Sequence, residues 1–354
     1  MPKISVIVPV YNTGILVKEC LESLFNQTYN DFEIIIVNDG STDESEDVIL
    51  HCVKGMGNCK YIYQENQGLS SARNTGLDSS NGDFIAFIDS DDWVERDFLE
   101  IMISEIEEYN ADICMCGYYR KLGDKILSKT IPRVHCSYIT DEDDLINFYY
   151  KTFIEEKYGI ICCNKLYRKS LISEHSLRFE KNNEIYAEDL LFNTRFLLSA
   201  ERIVETSTLL YNYRIREGSI TQAKKPLLEA RYSELLSRIE IIIKHRLPNK
   251  HYTLLSLIQY EAINVLTTNS YKYTHNLKDI LKTIMLYENA GGKVIKRLKG
   301  ISSVKETIAN PKKEFTGFFL LLDTIIIIKQ PWLVGFVFWI KLSIVNIGRN
   351  SNVN

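Results

Sequence analysis

The sequence carries eight cysteines but no CxxC pair. Structural zinc sites rely on such spacing, so a zinc framework is excluded. Cys114 and Cys116 fall in an expected strand and point to one face, while the side chains of adjacent Cys162 and Cys163 diverge. Cys20, Cys52, Cys59 and Cys136 are scattered singly. The expected use is reduced thiols filling small core sites, as in a cytosolic protein. No apolar run reaches the ~20 residues that a bilayer-crossing helix needs. The longest are Phe315–Ile328 and Trp332–Ile347, 14 and 16 residues separated by Lys329-Gln-Pro331. The start, Met1-Pro-Lys-Ile-Ser-Val, lacks the charged region, apolar stretch and cleavage site of a signal peptide. Internal repeats and low-complexity tracts are absent. So is any basic module interleaved with aromatics, and nucleic acid is therefore not an expected partner.

Net charge is small, −4, but unevenly spread. From Ala290 onward ten Lys/Arg face three Asp/Glu, a net of +7 that leaves −11 to the preceding residues. Lys293, Lys296, Arg297, Lys299, Lys305, Lys312 and Lys313 cluster before the first apolar stretch. Trp332 and Trp339 suit a headgroup interface. This tail reads as an in-plane or re-entrant anchor on an anionic membrane. A helical hairpin packed on the protein itself, or on a second subunit, is the alternative.

Against these absences stands Asp83-Phe-Ile-Ala-Phe-Ile-Asp-Ser-Asp-Asp92. Phe84 to Ile88 has the short, continuous apolar character of a strand covered on both faces. Asp89, Asp91 and Asp92 follow at once. Carboxylates this close repel one another, and a divalent cation with its preference for oxygen ligands would offset them. A polar turn in which Asp91 or Asp92 caps the next helix is the plainer use. Upstream, apolar strands at Lys3–Val10, Phe32–Val37 and Lys60–Tyr63 alternate with helices at Gly14–Asn26, after Ser41 or Thr42, and at Gly68–Leu77. This is the pattern of a parallel βαβ sheet. Further on are a helix at Glu95–Tyr109, a strand at Asp112–Tyr119 and irregular strands to Tyr138. Helical patterns follow at Asp141–Phe153 and Tyr186–Leu198. Two short strands are expected around Ser207, then helices over 227–246, 250–270 and 276–288.

Four segments end at one edge of that sheet: Pro9-Val-Tyr-Asn12, Asp39-Gly-Ser-Thr-Asp43, Gly68-Leu-Ser-Ser-Ala-Arg-Asn74 and Asp89-Ser-Asp91. They bring a ring for stacking (Tyr11), an acceptor for a base or sugar hydroxyl (Asp39), a guanidinium for a base or phosphate (Arg73) and a metal site. A nucleotide diphosphate needs that set.

With Ser23-Leu-Phe-Asn-Gln-Thr28, Phe32-Glu-Ile-Ile-Ile-Val-Asn-Asp39 and Asn66-Gln-Gly68 added, the order and spacing across about 120 residues resemble a family 2 glycosyltransferase of the bacterial capsular and exopolysaccharide type. The resemblance implies the GT-A fold: α/β, Rossmann-like, with a mostly parallel sheet and here a C-terminal helical extension. The expected divisions are a catalytic domain over 1–222 (nucleotide-binding half 1–120, acceptor half 121–222), a helical region over 223–289 and the tail 290–354. It further implies a nucleotide pocket formed by Pro9, Val10, Tyr11, Asn12, Asp39, Arg73, Asp89 and Ser90, and Mn²⁺ or Mg²⁺ held by Asp91 with Asp89.

For the proton-accepting carboxylate the resemblance points to Glu188-Asp189-Leu-Leu-Phe192, with Asp189 as base and Glu188 positioning the acceptor. Acids at a helix start are also stabilising by themselves. Arg214, Arg216 and Ser219 are candidates for the diphosphate, or the tip of a solvated hairpin. Asn164 and Lys165 are candidates for the acceptor cleft. The implied reaction moves a hexose or N-acetylhexosamine, with inversion, from a nucleotide sugar (UDP-linked by expectation) to a polysaccharide or lipid-linked glycan. Such an enzyme is expected in the cytoplasm, at the inner face of the cell membrane, with a homo-oligomer open. Two other classes stand beside it. A nucleotidyltransferase opens with a Gly-rich phosphate loop and a nearby Lys, which Pro9–Asn12 is not. A non-catalytic subunit has no need of intact Asp91 and Asp189.

Overall fold

The computed structural model describes residues 1–132, 136–155, 158–181, 184–216, 228–274 and 276–298, with 330, 331, 333–339, 341 and 342 of the tail. The chain forms two compact units. One comprises 1–140, 151–182 and 188–224; the other comprises 141–150, 183–187 and 225–354.

In the first unit β1 (Ile4–Val10), α1 (Leu16–Phe25), β2 (Phe32–Asp39), α2 (Ser45–Cys52), β3 (Cys59–Gln64), α3 (Leu69–Ser79) and β4 (Phe84–Phe87) alternate. All of β1 and nearly all of β2 is buried, as continuous apolar strands covered on both faces must be. Their order is β3-β2-β1-β4, parallel throughout. Pro9 is tolerated in β1 because pairing with β4 stops at Ile7–Phe87, so its missing N–H falls beyond the two-sided part. Gly76 of α3 lies against β1: a Cβ there would stand 2.3 Å from Ile7 Cγ2. The helix can approach the sheet this closely only without a side chain.

Beyond β4 come β5 (Trp93–Val94), α4 (Phe98–Tyr109), β6 (Ile113–Leu122), β7 (Lys125–Thr130) and β8 (Cys136–Tyr138). They are followed by α5 (Glu142–Tyr149), which belongs to the second unit, a π-helical turn (Tyr150–Glu155), β9 (Lys165–Arg168), α6 (Lys169–Glu174), α7 (Glu188–Leu197) and β10 (Arg202–Arg214). Here the sheet departs from the mostly parallel expectation. β9 inserts antiparallel between β4 and β6, and β5, β7 and β8 also pair antiparallel; only β6 and β10 are parallel. The sheet is mixed. The two strands expected around Ser207 are one strand with a register shift between Glu205 and Leu209, because an irregularity bends β10 without ending it.

In the second unit α8 (Leu228–Arg246), α9 (His251–Thr274) and α10 (Leu277–Tyr287) pack through residues such as Leu235, Ile239, Leu255, Ile258, Ile280 and Ile284. A π-helical turn (Glu288–Gly292) and α11 (Val294–Arg297) close it. Arg297 departs from the expected basic surface run. It is fully buried, with Nε 3.2 Å from Glu240 Oε2 and other nitrogens on Gly292 O and Ser237 Oγ. A charge spent inside cannot meet a membrane. Lys293 and Lys296 remain exposed, and Lys299, Lys305, Lys312 and Lys313 lie outside the described residues.

The described part of the second apolar stretch also departs from the anchor expectation. Val334, Val337 and Phe338 are buried. The Gly335 backbone abuts Ile284 and Leu281 of α10, the Phe338 ring lies 5.6 Å from that of Tyr260, and Lys341 Nζ donates to the Tyr260 hydroxyl. Val334, Val337 and Phe338 therefore spend their apolar side chains on the protein, while Phe336 stays exposed. The first stretch lies outside the described residues. Among the described residues no helix is long and apolar enough to cross a membrane.

Glu205 of β10 is buried and accepts from the Tyr158 hydroxyl. Burial pushes its carboxyl up to about 7, against the pull of that donor. The folded protein keeps a proton that the unfolded chain releases near 4.5, so the associated stability is complete below that value and is lost as pH climbs to about 7. Glu205→Gln lacks this loss. In urea unfolding its stability should gain on the wild type between pH 5 and 8, by on the order of 2 kcal/mol. An equal difference at the two pH values would refute protonation of Glu205.

Candidate active site

The parallel half of the sheet delivers its loops to one edge, where β1, β2 and β4 end and α3 begins. Asn12 has a left-handed backbone (φ 49°), which Asn tolerates better than most residues. Its N–H donates to Ser41 Oγ, and its Oδ1 accepts from Thr42 N at 2.8 Å. Ser41 and Thr42 thus clamp the end of β1. They do not cap α2, whose first residue is Ser45; its N–H is met by Asp43 Oδ1. Tyr11 stands half exposed beside this clamp, whereas Pro9 and Val10 are buried and offer the edge only their backbone.

Asp39 is 2% exposed. Its Oδ1 accepts from Gln64 Nε2 and Gln67 N, and its Oδ2 from Gly68 N at 2.8 Å. Gly68 (φ 90°) turns the chain so that this amide faces the carboxylate just before α3 starts. A carboxylate has about four acceptor positions, so one remains on Oδ2 for a further donor.

Arg73, on α3, occupies the centre of the site. It is 2% exposed. Nη1 donates to Asp189 Oδ1 at 2.6 Å and Nη2 to Asp89 Oδ1 at 3.0 Å, with Glu188 Oε1 at 3.8 Å. Its guanidinium lies 5.1 Å from the Phe179 ring centroid. Asn74, the next residue of α3, grips the Phe179 backbone in both directions. Phe179 stacks on Phe192 (4.1 Å, 5°) and meets Phe87 edge-on. Phe192 follows Asp189 by three residues on α7 and shares its face. These rings exclude water from one side of the guanidinium, which strengthens both of its ion pairs. Burial alone would weaken the arginine's charge; Asp189, Cys162, Asp89 and Glu188 together outweigh it.

Arg73 meets acids of the site that the sequence did not assign to it. Its two terminal nitrogens face the two acids, while the buried Nε has no partner among the described residues. Asp89 is raised by burial, and Arg73 opposes the rise. Asp189 also accepts from the Cys162 N–H on Oδ2, at 3.2 Å. Ala187, just before α7, holds a left-handed backbone (φ 61°) that turns the chain into the helix carrying Asp189.

Asp92 departs from the helix-cap expectation. It is buried, accepts from the Tyr211 hydroxyl (2.6 Å) and from Arg214 N (2.7 Å), and so ties the turn after β4 to β10. Burial drives its carboxyl well above the ordinary range, with Asp89 and Asp91 adding to the rise. Asp91 accepts from Arg216 Nε on Oδ2 at 2.7 Å, and its carbonyl accepts from Arg214 Nε. Arg214 also pairs with Glu19 and lies over the Trp93 ring at 4.5 Å. Ser90 is buried.

Asn164 and Lys165 do not line an open cleft. Both are fully buried, with Asn164 bonded to Cys116 O and Lys165 to backbone carbonyls beneath the site. Ser219 lies outside the described residues. Phe179, Asn74 and Tyr211 entered the site unannounced. Tyr211 lies three residues before the candidate Arg214, on the same strand. The Cys162 N–H left no signal, because every residue but proline carries one.

Two acid groupings offer themselves to a cation. Asp89, Asp92 and Cys163 have ligand atoms within 4.8 Å of one another. Both Asp92 oxygens are engaged, and burial holds the Cys163 thiol protonated, so this grouping does not suit a hard cation. Asp89 and Asp91 do suit one. Both carboxylates are partly exposed, and Asp91 is balanced by an exchangeable arginine.

Residues 5–176 match the family model described as glycosyl transferase family 2. The chain is 40% identical over 233 residues to EpsH of Bacillus subtilis (strain 168), a protein named as a glycosyltransferase; the match covers 65% of this chain and spans 66% of EpsH. It is 31% identical over 239 residues to the glycosyltransferase GlyG of Streptococcus pneumoniae serotype 4, covering 64% of this chain and 76% of GlyG. Residues 1–349 of S. aureus TarS, crystallised with UDP-GlcNAc, share the fold with a TM-score of 0.71 at 24% identity, over 95% of this chain and 90% of that one. The fold is thus the GT-A fold, of the α/β class. The chain belongs to glycosyl transferase family 2, whose members are sugar-transferring enzymes.

Left-handed alanine costs about 1–2 kcal/mol relative to a relaxed backbone, and glycine does not bear that cost. Ala187→Gly should therefore raise the thermal midpoint by a few degrees. A lowered midpoint would show that φ at 187 is not strained.

Proposed function

We propose that this protein is an inverting, metal-dependent hexosyltransferase. It moves a hexose or N-acetylhexosamine from a nucleotide sugar to a polysaccharide or lipid-linked glycan. The observation that carries this reading is the shared guanidinium. Asp189, a hundred residues beyond the Asp89-Ser-Asp91 motif, meets the same Arg73 as Asp89. A leaving-group site and a proton acceptor must stand this close, and nothing in an ordinary helix start requires it.

In this reading Tyr11 and Asp39 receive the base, with the open position on Asp39 Oδ2 taking one donor. TarS, crystallised with UDP-GlcNAc, favours a UDP-sugar. Asp89 and Asp91 hold Mn²⁺ or Mg²⁺, which when bound offsets the diphosphate charge. Arg216, which pairs with Asp91 here, would be free to turn toward the diphosphate once that carboxylate held a cation. Asp189 takes the proton of the acceptor hydroxyl as its oxygen bonds to the anomeric carbon and the bond to the diphosphate breaks. Arg73 and the Cys162 N–H keep that carboxylate aimed, and Glu188 stands beside it to orient the acceptor. A single displacement inverts the anomeric centre. Membrane contact in this reading rests on exposed lysines of the basic segment, Lys293 and Lys296 among the described residues.

Asp189→Asn should bind UDP with Mn²⁺ as the wild type does, yet transfer sugar about 10²–10⁴-fold more slowly; near-normal turnover would remove Asp189 from the role of base. Asp91→Ala should lose metal-dependent UDP binding in calorimetric titration, and unchanged titrations would take Asp91 out of the metal site.

A further inference from the structure

Asp189 does not stand on α7 alone. Its second oxygen depends on the Cys162 N–H, and Cys162 lies in the loop 158–164 before β9. That loop has no regular ladder of its own, so its carbonyls must be gathered by side chains. Lys165 does this from below. Its Nζ carries three protons and meets three acceptors: Tyr158 O at 2.9 Å, Asn164 Oδ1 at 2.7 Å, and Ile161 O. Asn193, one helical turn after Asp189, donates to Ile160 O at 2.7 Å and accepts from the Tyr167 hydroxyl at 2.7 Å. The loop is therefore held on one side by the helix that bears Asp189 and on the other by a single buried ammonium.

We propose that Lys165 is a positioning residue for sugar transfer: its ammonium gathers the 158–164 carbonyls so that the Cys162 N–H holds Asp189 ready to take the acceptor's proton. This rests on the assignment of Asp189 as base. The requirement is for the ammonium, not merely for a long side chain. A neutral amine has two protons and a lone pair, so one of the three acceptors would face a lone pair and lose its partner. Among the described residues no carboxylate contacts Lys165. The ionisable groups that face it are Cys162 and Cys163 of the loop, Asp189 of α7, Cys116 of β6 and Glu205 of β10. The thiols are held neutral by burial. Burial brings Lys165 down to about 8. Loss of the proton above that value should release the loop with Lys165 still buried, where an ammonium without its carbonyls is more costly still; the fold itself persists, because a lysine pKa lowered on folding adds stability as pH rises through it.

The test reads the loop and the reaction separately. Hydrogen exchange of the full-length protein, corrected for intrinsic rates, should show protection across 158–164 falling about tenfold or more between pH 7 and 9, with β1 and β2 unchanged. Turnover should show an alkaline limb near pH 8 at constant KM for the donor. Lys165→Met, if it folds, should lose about 10- to 100-fold in kcat with donor KM within about twofold, and lose the limb. Loop protection that is flat with pH, or a limb that persists in Lys165→Met, would overturn the proposal. A wild type that transfers no sugar while its loop still loosens near pH 8 would instead overturn the assignment of the reaction.

Discussion

The Arg73 guanidinium is a full charge placed where water scarcely reaches, and the catalytic unit is arranged to neutralise it. A buried charge without partners is so costly that its surroundings must supply counter-charges in good geometry. Here Asp89 comes from the end of β4 and Asp189 from the first turn of α7. Each would be awkward alone in this half-buried edge; around one arginine the three groups satisfy one another. The constraint also runs outward. Phe179 must lie flat beneath the guanidinium, so Asn74 clamps its backbone, and Phe192 must stack on Phe179, which sets the rotation of α7 and hence the direction of Asp189.

A second set of contacts governs the other acids of the same turn. Asp92 is withdrawn into the protein by Tyr211 and the Arg214 amide, so the turn is locked to β10 and Asp91 is left at the surface. Arg216 balances Asp91 through a partly exposed pair, which water can screen. Strong and weak pairing are thus divided within four residues. The internal acid is held through both oxygens, and the outer one by a single side-chain partner.

Much of this could be read in advance. The unbroken apolar runs of β1, β2 and β4 gave away the parallel half, because a strand covered on both faces has no polar alternation to hide. The alternation with helices and the chain positions of Asp39, Arg73, Asp89, Asp91 and Asp189 were equally legible. The mixed half was not. β9 and β5 are too short to have a period, and nothing in Lys165–Arg168 says that it will insert antiparallel between β4 and β6. Arg297 looked like one more member of a basic run because burial has no local mark on a lysine- and arginine-rich segment.

What the sequence determined by itself was the inventory and its order: which segments are strands, which turns carry acids, and that one short stretch, Asp83 to Asp92, ends in more carboxylates than an isolated turn can hold. Periodicity and turn chemistry are local, so local residues suffice to specify them. Only the tertiary structure decided who answers each charge. Arg73 became the link between two acids, Asp92 went from a helix cap to an internal tie, and Lys165 from a cleft residue to the support beneath Asp189. Those roles depend on where the ends of distant segments meet, and that follows from how the whole sheet packs rather than from any neighbouring residue.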